Sequence, residues 1–219
     1  MKREIIITSD GSSSINLPEW NEQYHSKKGA IQEAYHVFIR MGLDLFANDI
    51  SVFEIGFGTG LNAFITYLES ERRKLKITYT GVEAYPVLME EVVKLNYVEQ
   101  LEAEKFAHQF EKMHAVSWEK SCEISDTFSI IKRKQLFENI TDENSFDLIY
   151  YDAFGSRVQP SLWEESIFKK MYVALKKGGI LVTYAAKGSA RRAMQAVGFT
   201  VERLEGPPGK REMLRARKL

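Results

Sequence analysis

The feature that most constrains this chain is a glycine-spaced turn that follows a short apolar run. The run contains one acid, Glu54; glycines follow at positions 56, 58 and 60, and an amphipathic helical pattern begins next. Glycines allow turn geometry and a close approach of the backbone to a ligand, and a helix start presents unpaired N–H groups. Parallel α/β sheets build nucleotide pockets in this way, at the carboxyl end of a strand. The segment therefore predicts a parallel α/β sheet with a ligand site at this turn.

The spacing of these glycines narrows the choice of ligand. A dinucleotide fingerprint places a small residue three positions after its second glycine, whereas this chain has Leu61 there and a third glycine early, at Gly60. A dehydrogenase is therefore disfavoured. The pattern E-x-G-x-G-x-G resembles the first motif of the S-adenosyl-L-methionine (SAM) methyltransferases, and this resemblance implies SAM as the methyl donor.

Length and composition favour one globular domain. The 219 residues suffice for a sizeable core, and 44% hydrophobic and 27% charged residues are ordinary for such a chain. No apolar run approaches the length of a membrane span, and the N-terminus does not resemble a signal peptide. The single cysteine, Cys122, cannot form an internal disulfide and has no neighbouring metal ligands. We expect a cytoplasmic protein with no metal and no membrane partner.

The charge balance argues against a protein that coats nucleic acid by bulk electrostatics, because 30 basic and 30 acidic residues cancel. The net charge does not exclude a local basic face. Its members could contact phosphates or form a solvated surface, and the sequence favours neither reading. The candidates are Arg191, Arg192, Arg203, Lys210, Arg211, Arg215, Arg217 and Lys218.

Hydrophobic periodicity predicts an N-terminal extension, residues 1–48, that packs on a core of residues 49–219. The extension contains a hairpin, 4–8 with 13–17, and a helix over 29–47. Seven strands are expected in the core, at 51–55, 76–83, 128–131, 146–151, 180–185, 199–204 and 211–215. Helices are expected from 60, from 86, within 97–120, and at 162–175 and 189–197. Alternating strands and helices indicate a mostly parallel sheet with helices on both faces.

Two acids and two polar residues surround the predicted turn. Glu83 ends the second strand, where α/β nucleotide-binding folds use an acid to accept hydrogen bonds from ribose hydroxyls; the alternative is a surface acid. Glu54 lies before the glycines and either orders the loop or contacts the ligand. Thr59 and Asn62 contact the methionine part of the donor or cap the helix.

Asp152 is the candidate catalytic residue. It ends the strand at 146–151 at the ligand edge of the sheet, and Phe154 follows beside the cofactor site. Methyl transfer to nitrogen requires a neutral nucleophile in line with the carbon–sulfur bond, and a carboxylate can orient an amine and accept its proton. Asp147 starts the same strand and therefore faces the opposite edge.

Other side chains could complete a pocket. Tyr24, His25 and Ser26 precede the core and could cover the site, although a lone histidine is more often structural. Trp163 either anchors a helix on the sheet or stacks on a base. Phe154 and Tyr184 are further stacking candidates.

A set of motifs along nearly the whole chain is similar to one family, the methyltransferase component of tRNA 5-methylaminomethyl-2-thiouridine biosynthesis. These motifs are Asp10-Gly11-Ser12, Tyr24-His25-Ser26, Gly29-Ala30, Glu33, His36-Val37-Phe38, Tyr151-Asp152-Ala153-Phe154, Pro160, Leu162-Trp163, Gly178-Gly179, Thr183-Tyr184-Ala185-Ala186-Lys187-Gly188, Arg191-Arg192-Ala193, Gly198-Phe199 and Gly206, Gly209, Arg211-Glu212-Met213.

The resemblance implies a Rossmann-like SAM-dependent fold and N-methylation of 5-aminomethyl-(2-thio)uridine at the tRNA wobble position, with the anticodon loop as partner. Many family members carry a flavin oxidoreductase domain, but this chain ends soon after Met213 and resembles the stand-alone form, so no flavin is expected. A functional link to the enzymes that install the aminomethyl group is also implied. The carry-over assigns the amine site to Asp152, the ribose to Glu83, the pocket lining to Tyr24, His25 and Ser26, and the methionine part to Gly56, Phe57, Gly58, Thr59 and Gly60.

One region departs from the usual pattern. SAM enzymes commonly place an acid near the adenine after the third strand, where this chain has Lys132-Arg133-Lys134; backbone groups or Gln135 would then hold the adenine. Two alternatives stay open: a SAM-family transferase acting on a small-molecule amine, like the polyamine synthases, and a non-catalytic RNA-binding relative.

Overall fold

A small antiparallel sheet opens the chain in the computed structural model, which describes residues 2–219. Its strands are β1 (Glu4–Ile7), β2 (Ser13–Leu17) and β3 (Glu22–Gln23), and β1 pairs with β2 from Glu4 opposite Asn16 to Ile7 opposite Ser13. Asp10 holds the connecting turn by accepting hydrogen bonds from the Thr8 hydroxyl and the Ser12 N–H. The predicted hairpin is therefore confirmed. The following helix α1 (Ala30–Ala34) continues as a wider helical turn, Tyr35–Arg40.

The main sheet has eight strands, one more than the sequence predicted. Its order is β10-β11-β9-β8-β4-β5-β7-β6, and the central strands from β9 to β7 are parallel. The strands are β4 (Ile50–Ile55), β5 (Ile77–Glu83), β6 (Ser121–Ser125), β7 (Phe128–Lys134), β8 (Phe146–Tyr151), β9 (Leu175–Thr183), β10 (Thr200–Glu205) and β11 (Glu212–Arg217).

The unpredicted strand is β6, an edge strand that pairs antiparallel with β7. Only Ile124 in its sequence is buried, so the strand lacks the apolar signal that identifies a core strand.

Helices cover both faces of the main sheet, as predicted. They are α2 (Leu61–Arg73), α3 (Met89–Val92), α4 (Tyr97–Gln100), α5 (Ala107–Ala115), α6 (Glu165–Ala174) and α7 (Gly188–Ala196). Side chains alternate along each strand, so Leu148 and Tyr150 of β8 pack into one apolar layer with α2, whereas Ile149 and Tyr151 pack into the other with α6 and α7. No helix within residues 2–219 combines the length and apolar character needed to cross a bilayer.

Several predicted boundaries were wrong. The helix expected over 29–47 ends at Arg40, and β7 continues to Lys134, beyond the predicted end at 131. The helix expected from Pro86 is reduced to the four residues of α3, because the 83–88 segment is tied down by hydrogen bonds from Arg3 to the carbonyls of Tyr85 and Pro86. Strand β9 begins at Leu175 instead of the predicted 180, so Gly178 and Gly179 lie inside it, and the pairing of β9 with β8 shifts register there. Such an irregularity lets a strand continue through residues that read as a turn.

Parallel pairing brings the functional segments together. Ile55 of β4 lies opposite Val82 of β5 and Tyr151 of β8. The glycine turn, Glu83 and Asp152 follow these strand ends directly, so they share one edge of the sheet, where open α/β sheets bind ligands.

Candidate active site

A cavity of about 780 Å³ opens at the carboxyl edge of β4, β5 and β8. Its volume lies within the range of small-molecule sites. We call it the main cavity. Most of the residues predicted from the sequence line it: Tyr24, His25, Gly56, Phe57, Gly58, Thr59, Asn62, Glu83, Asp152, Phe154 and Tyr184. Glu54, Gly60, Ser26 and Trp163 lie outside its lining.

The glycine turn brings bare backbone to the cavity wall. Gly56 has a φ of 93°, and a Cβ placed on it would lie 2.6 Å from the carbonyl oxygen of Asp152. A Cβ on Gly58, whose φ is 47°, would lie 3.0 Å from the Tyr24 ring. Both positions therefore require glycine. Gly60 precedes α2 and faces the ring of His114 beneath the turn.

Glu83 joins the turn to the end of β5. Its carboxylate accepts hydrogen bonds from the N–H of Gly58, at 3.0 Å, and the N–H of Tyr85, at 2.9 Å. Each carboxylate oxygen can accept more than one hydrogen bond. Glu83 therefore orders the turn and keeps acceptor capacity for hydroxyl groups in the cavity.

Three side chains form a polar cluster at the base of the main cavity. The Asn62 amide donates one hydrogen bond to Glu54 Oε1, at 2.9 Å, and one to Asp152 Oδ2, at 2.8 Å. Glu54 and Asn62 are buried, and Asn62 and Asp152 line the cavity. Asn62 thus fixes the orientation of both carboxyl groups, and Glu54 lies one layer below the cavity surface.

Burial raises the pKa of both carboxyl groups. For Glu54 the pKa lies well above its usual value, although the hydrogen bond from Asn62 opposes the shift. For Asp152 the pKa is raised to about 7, mainly by burial and also by the Glu33 charge, while Asn62 and Lys210 act in the opposite direction. A carboxyl group with a pKa near neutrality can exchange a proton under physiological conditions.

His25 connects the N-terminal sheet to the glycine turn. Its ring nitrogens lie 3.2 Å from the Ser14 hydroxyl and 3.4 Å from the Thr59 hydroxyl. Burial lowers the pKa of His25 to about 4, so the ring is neutral at pH 7. The neighbouring Ser26 donates its backbone N–H to Glu33 Oε1. In the free protein His25 and Ser26 therefore make hydrogen bonds that hold the N-terminal segment in place.

Aromatic side chains form one wall of the main cavity. Phe154 meets the edges of Tyr24 and Trp20 at ring distances of 5.0 and 5.7 Å. Tyr184 donates its hydroxyl to the carbonyl of Ala153. Trp163 is buried behind this wall and donates its indole N–H to the carbonyl of Phe154. Its position matches the anchor reading of the sequence.

Several lining residues were not predicted from the sequence. Leu136, Phe137 and Glu138 follow β7 and line the main cavity, so an acid is present beyond the basic stretch. Arg133 instead pairs with Asp142, and Lys132 is buried against the Trp118 ring. Gln135 does not line the cavity. Glu138 could have been predicted only from its position after the third parallel strand. The sequence does not show where that strand, β7, ends.

Arg3 was also missed. Its guanidinium donates to Glu91 at 2.9 Å and to the carbonyls of Tyr85 and Pro86, and it lies 6.0 Å from the Tyr24 ring centre. Arg3, which immediately precedes β1, thus links the N-terminal segment to the rim of the main cavity. Among residues 2–219 no three His, Cys, Asp or Glu side chains group closely enough to hold a metal ion.

Comparison with known families decides the class of protein. A family model described as S-adenosyl-L-methionine-dependent methyltransferase matches residues 94–219, more than half of the chain. The chain belongs to this methyltransferase family. The match includes Asp152 and Tyr184 of the main cavity, whereas the glycine turn and Glu83 lie before it and support the same assignment independently.

Similar curated proteins share one name, tRNA 5-methylaminomethyl-2-thiouridine biosynthesis bifunctional protein MnmC. The methyltransferase is 25% identical to the protein from Cupriavidus metallidurans over 98% of its own length, and 29% identical to that from Actinobacillus pleuropneumoniae over 92%. It spans about a third of these relatives, 34% in both cases.

Solved structures confirm the fold. MNMC2 from Aquifex aeolicus superposes with a TM-score of 0.75 at 23% identity, covering 98% of this chain and 70% of that one. Spermidine synthase from Thermotoga maritima gives 0.56 at 15% identity, covering 100% and 74%. The Rossmann-like methyltransferase fold expected from the sequence is confirmed, with eight strands in place of seven.

The residues of the main cavity fit SAM, the methyl donor of this family. The close approach of Gly56 and Gly58 leaves backbone exposed at one end, and the Glu83 carboxylate has the acceptors that ribose hydroxyls require. Leu136 and Phe137 offer apolar contacts for a planar base, with Glu138 beside them. Bound there, SAM would supply a methyl group on a positively charged sulfur.

Proposed function

We propose that this methyltransferase methylates the primary amine of 5-aminomethyl-(2-thio)uridine at the wobble position of tRNA, giving 5-methylaminomethyl-(2-thio)uridine. The shared name of its curated relatives supports the substrate class. The observation that carries the proposal is Asp152, a carboxyl group held by Asn62 at the base of the main cavity. The reaction would occur in the cytoplasm on the exposed anticodon loop, where little base unpairing is needed.

Asp152 is proposed to remove a proton from the substrate's ammonium group. The aminomethyl group arrives as an ammonium ion, and its nitrogen has no lone pair to form a new bond. Asp152 accepts one proton and leaves the neutral amine, which then forms the N–C bond as the methyl group leaves sulfur. A general base with a pKa near the working pH is well suited to this step. The hydrogen bond from Asn62 fixes the carboxylate before the substrate enters.

Other residues have proposed binding roles. Glu83 holds the ribose of the donor, Glu54 stays below the surface and orients Asn62, and the turn from Gly56 to Gly60 contacts the methionine part. Phe154, Tyr24 and Tyr184 surround the uracil ring, because loop bases are commonly recognised by stacking on aromatic side chains. Residues 1–48 are proposed to act as an extension that covers the core, since Trp20, Tyr24 and His25 reach the main cavity.

The decisive test is mass spectrometry of nucleosides from tRNA that carries 5-aminomethyluridine, after incubation with SAM and the purified chain. We expect conversion to the methylaminomethyl nucleoside. The Asp152→Ala variant should lose turnover and still bind SAM in calorimetry. Methylation of small polyamines with no tRNA product would support the small-molecule alternative instead, and failure to bind SAM would favour a non-catalytic relative.

A further inference from the structure

A second hollow of about 510 Å³ adjoins the main cavity. Gly155 and Tyr184 line both, so the two spaces adjoin at this pair of residues. The second hollow is built from the segments that follow β8 and β9 and from the connection between β10 and β11. Its walls carry four cationic side chains and one acidic one, namely Arg157, Lys187, Lys210, Arg211 and Glu212.

Two of these cations are not neutralised. Arg157 pairs with Glu22, Lys210 with Glu33, and Glu212 with Arg203. Within residues 2–219, no carboxylate lies within ion-pair distance of Lys187 or Arg211, and both side chains are exposed.

A third unpaired cation lies on α7, outside the lining of the second hollow. The guanidinium of Arg192 folds back toward the start of α7, since a Cβ on Gly188 would lie 3.2 Å from its Nη1 atom. Arg192 is exposed and, among the described residues, also lacks a carboxylate partner. The second hollow thus carries positive charge in a chain whose formal net charge is zero.

Lys210 lines the second hollow beside Tyr184, which also lines the main cavity. Its ammonium lies 3.9 Å above the Tyr184 ring, which forms the partition between the two spaces. A ligand that fills both spaces would therefore pass over Tyr184 with an uncharged part near Asp152 and an anionic part near Lys187 and Arg211. A nucleotide within an RNA strand has this arrangement, because its base and its phosphodiester lie on opposite sides of the sugar.

We propose that the second hollow binds a phosphodiester group of the RNA strand next to the nucleotide whose base enters the main cavity. The inference rests on the proposed function and deepens it, because it assigns the RNA backbone to Lys187 and Arg211 in particular. The ion-paired basic residues of the C-terminal segment, such as Arg203 and Arg215, contribute less, since carboxylates already neutralise them. Unpaired cations release counterions from RNA when they bind it.

The test compares two double variants of the full chain. One is Lys187→Ala with Arg211→Ala. The control is Lys76→Ala with Lys177→Ala, which removes the same charge from exposed lysines at the amino edge of β5 and β9. The probe is an anticodon stem-loop RNA that carries 5-aminomethyluridine at the wobble position. The measurements are its dissociation constant at several salt concentrations, SAM binding by calorimetry, and turnover. Because all four side chains are exposed, both variants should fold, and circular dichroism checks this.

We expect the Lys187/Arg211 variant to bind the RNA about tenfold more weakly and to lose about 0.7 of the logarithmic salt slope for each lost contact. SAM affinity and turnover at saturating RNA should match the wild type. The control should bind RNA as the wild type does. Inorganic phosphate at millimolar concentration should not displace the RNA; displacement would indicate a free-anion site instead.

The two ideas fail in different ways. Equal RNA affinity for both double variants, in an enzyme that still methylates tRNA, would overturn the phosphodiester site alone. A wild-type chain that neither binds nor methylates the RNA would overturn the proposed function, and the phosphodiester site with it. A fall in turnover at saturating RNA would also contradict the proposal, because it would place Lys187 and Arg211 in the chemical step.

Discussion

Asp152 combines accessibility with an elevated pKa, and this combination follows from its surroundings. Burial and the nearby Glu33 raise its pKa to about 7, while the Asn62 amide holds Oδ2 at 2.8 Å. The same burial that makes the carboxyl group a useful base also makes its ionised form costly. Function and stability are therefore expected to oppose each other at this residue.

The first prediction concerns Asp152→Asn. The amide cannot accept a proton, so we expect turnover to fall at least 100-fold, at the lower end of general-base effects. Stability should change in the opposite direction. The folded pKa lies above the unfolded one, so the folded state holds more protons between about pH 4 and pH 7 and the wild type loses stability as pH rises through this window. The variant should avoid this loss. At pH 8 its free energy of unfolding should exceed that of the wild type by on the order of 1 kcal/mol, and its unfolding temperature should be higher.

Thermal unfolding at pH 8 and nucleoside mass spectrometry provide the two measurements. Asp147→Asn serves as the control, because Asp147 lies at the opposite edge and its pKa is lowered, with Lys176 and Ser51 hydrogen bonding to it. That control should retain turnover and lose stability. A fully active Asp152→Asn enzyme would remove Asp152 from the proposed chemistry.

The second prediction is the pH dependence of the wild type. With Asp152 as base, kcat/KM for the RNA should rise about tenfold per pH unit below pH 7 and level off above it, because the ionised fraction of a group with a pKa of about 7 does so. Initial rates between pH 5 and pH 9 test this. A rate that continues to rise past pH 8 would assign the dependence to the substrate amine instead.

The third prediction concerns Asn62, which holds two carboxyl groups with one amide. Replacing Asn62 with alanine leaves Glu54 and Asp152 without their shared donor, so we expect a loss of about 1–3 kcal/mol in unfolding free energy. Turnover should fall more than the affinity for RNA, since Asp152 is no longer oriented. Glu54→Gln is the informative companion: it keeps an acceptor for Asn62 and replaces a carboxyl group whose raised pKa favours the neutral form, so it should retain stability and most turnover.

At the scale of elements, the N-terminal segment joins the main sheet through apolar packing and through specific hydrogen bonds. Arg3 reaches from the flank of β1 to Glu91 and to the backbone of Tyr85 and Pro86. His25 reaches Thr59, and Tyr97 donates its hydroxyl to the same threonine. These contacts set the position of the aromatic wall relative to the glycine turn.

The fourth prediction follows for Arg3→Ala. Loss of its charge-assisted hydrogen bonds should loosen the 85–88 rim and weaken SAM binding by about 1 kcal/mol, or roughly fivefold in dissociation constant. Turnover at saturating SAM should change little. Lys2→Ala is the matched control, because Lys2 pairs with Glu4 on the exposed surface. Equal SAM affinities for the two variants, measured by calorimetry, would show that Arg3 does not support the rim.

The properties of the individual strands and helices explain which parts of the fold could be predicted from the sequence. Strand β8 was predicted with its observed bounds because it is buried on both faces and reads as an apolar run. β6 was missed because it is a polar edge strand, and the helix at Pro86 was overestimated because tertiary hydrogen bonds from Arg3 hold that segment extended. Glu138 was not predicted as a site residue because its place in the site depends on where β7 ends. Charged residues occupy that end, so the apolar pattern of the strand does not mark it.

At the scale of the whole molecule, SAM should stabilise the fold through linkage. A ligand present at 100 times its dissociation constant adds about 2.7 kcal/mol to the free energy of unfolding. For a chain of this size that gain should raise the unfolding temperature by about 5–10 °C.

The fifth prediction is that Glu83→Ala loses most of this SAM-dependent rise. Without its carboxylate the proposed partner of the ribose is lost, and the Gly58 and Tyr85 N–H groups lose their acceptor. Glu143→Ala, at an exposed acid, should keep the full rise. Differential scanning fluorimetry with and without SAM makes the comparison, and an unchanged rise in Glu83→Ala would exclude Glu83 from the donor site.

The contact between Gly56 and the carbonyl of Asp152 has a consequence for engineering. A Cβ on residue 56 would lie 2.6 Å from the carbonyl oxygen of Asp152, so any larger residue there would push apart the ends of β4 and β8. Such a change would displace the acid instead of making room beside it. A variant meant to accept a bulkier acceptor amine would have to gain its room on the far side of the acid, by trimming Tyr184 or Phe154, while leaving the glycine in place.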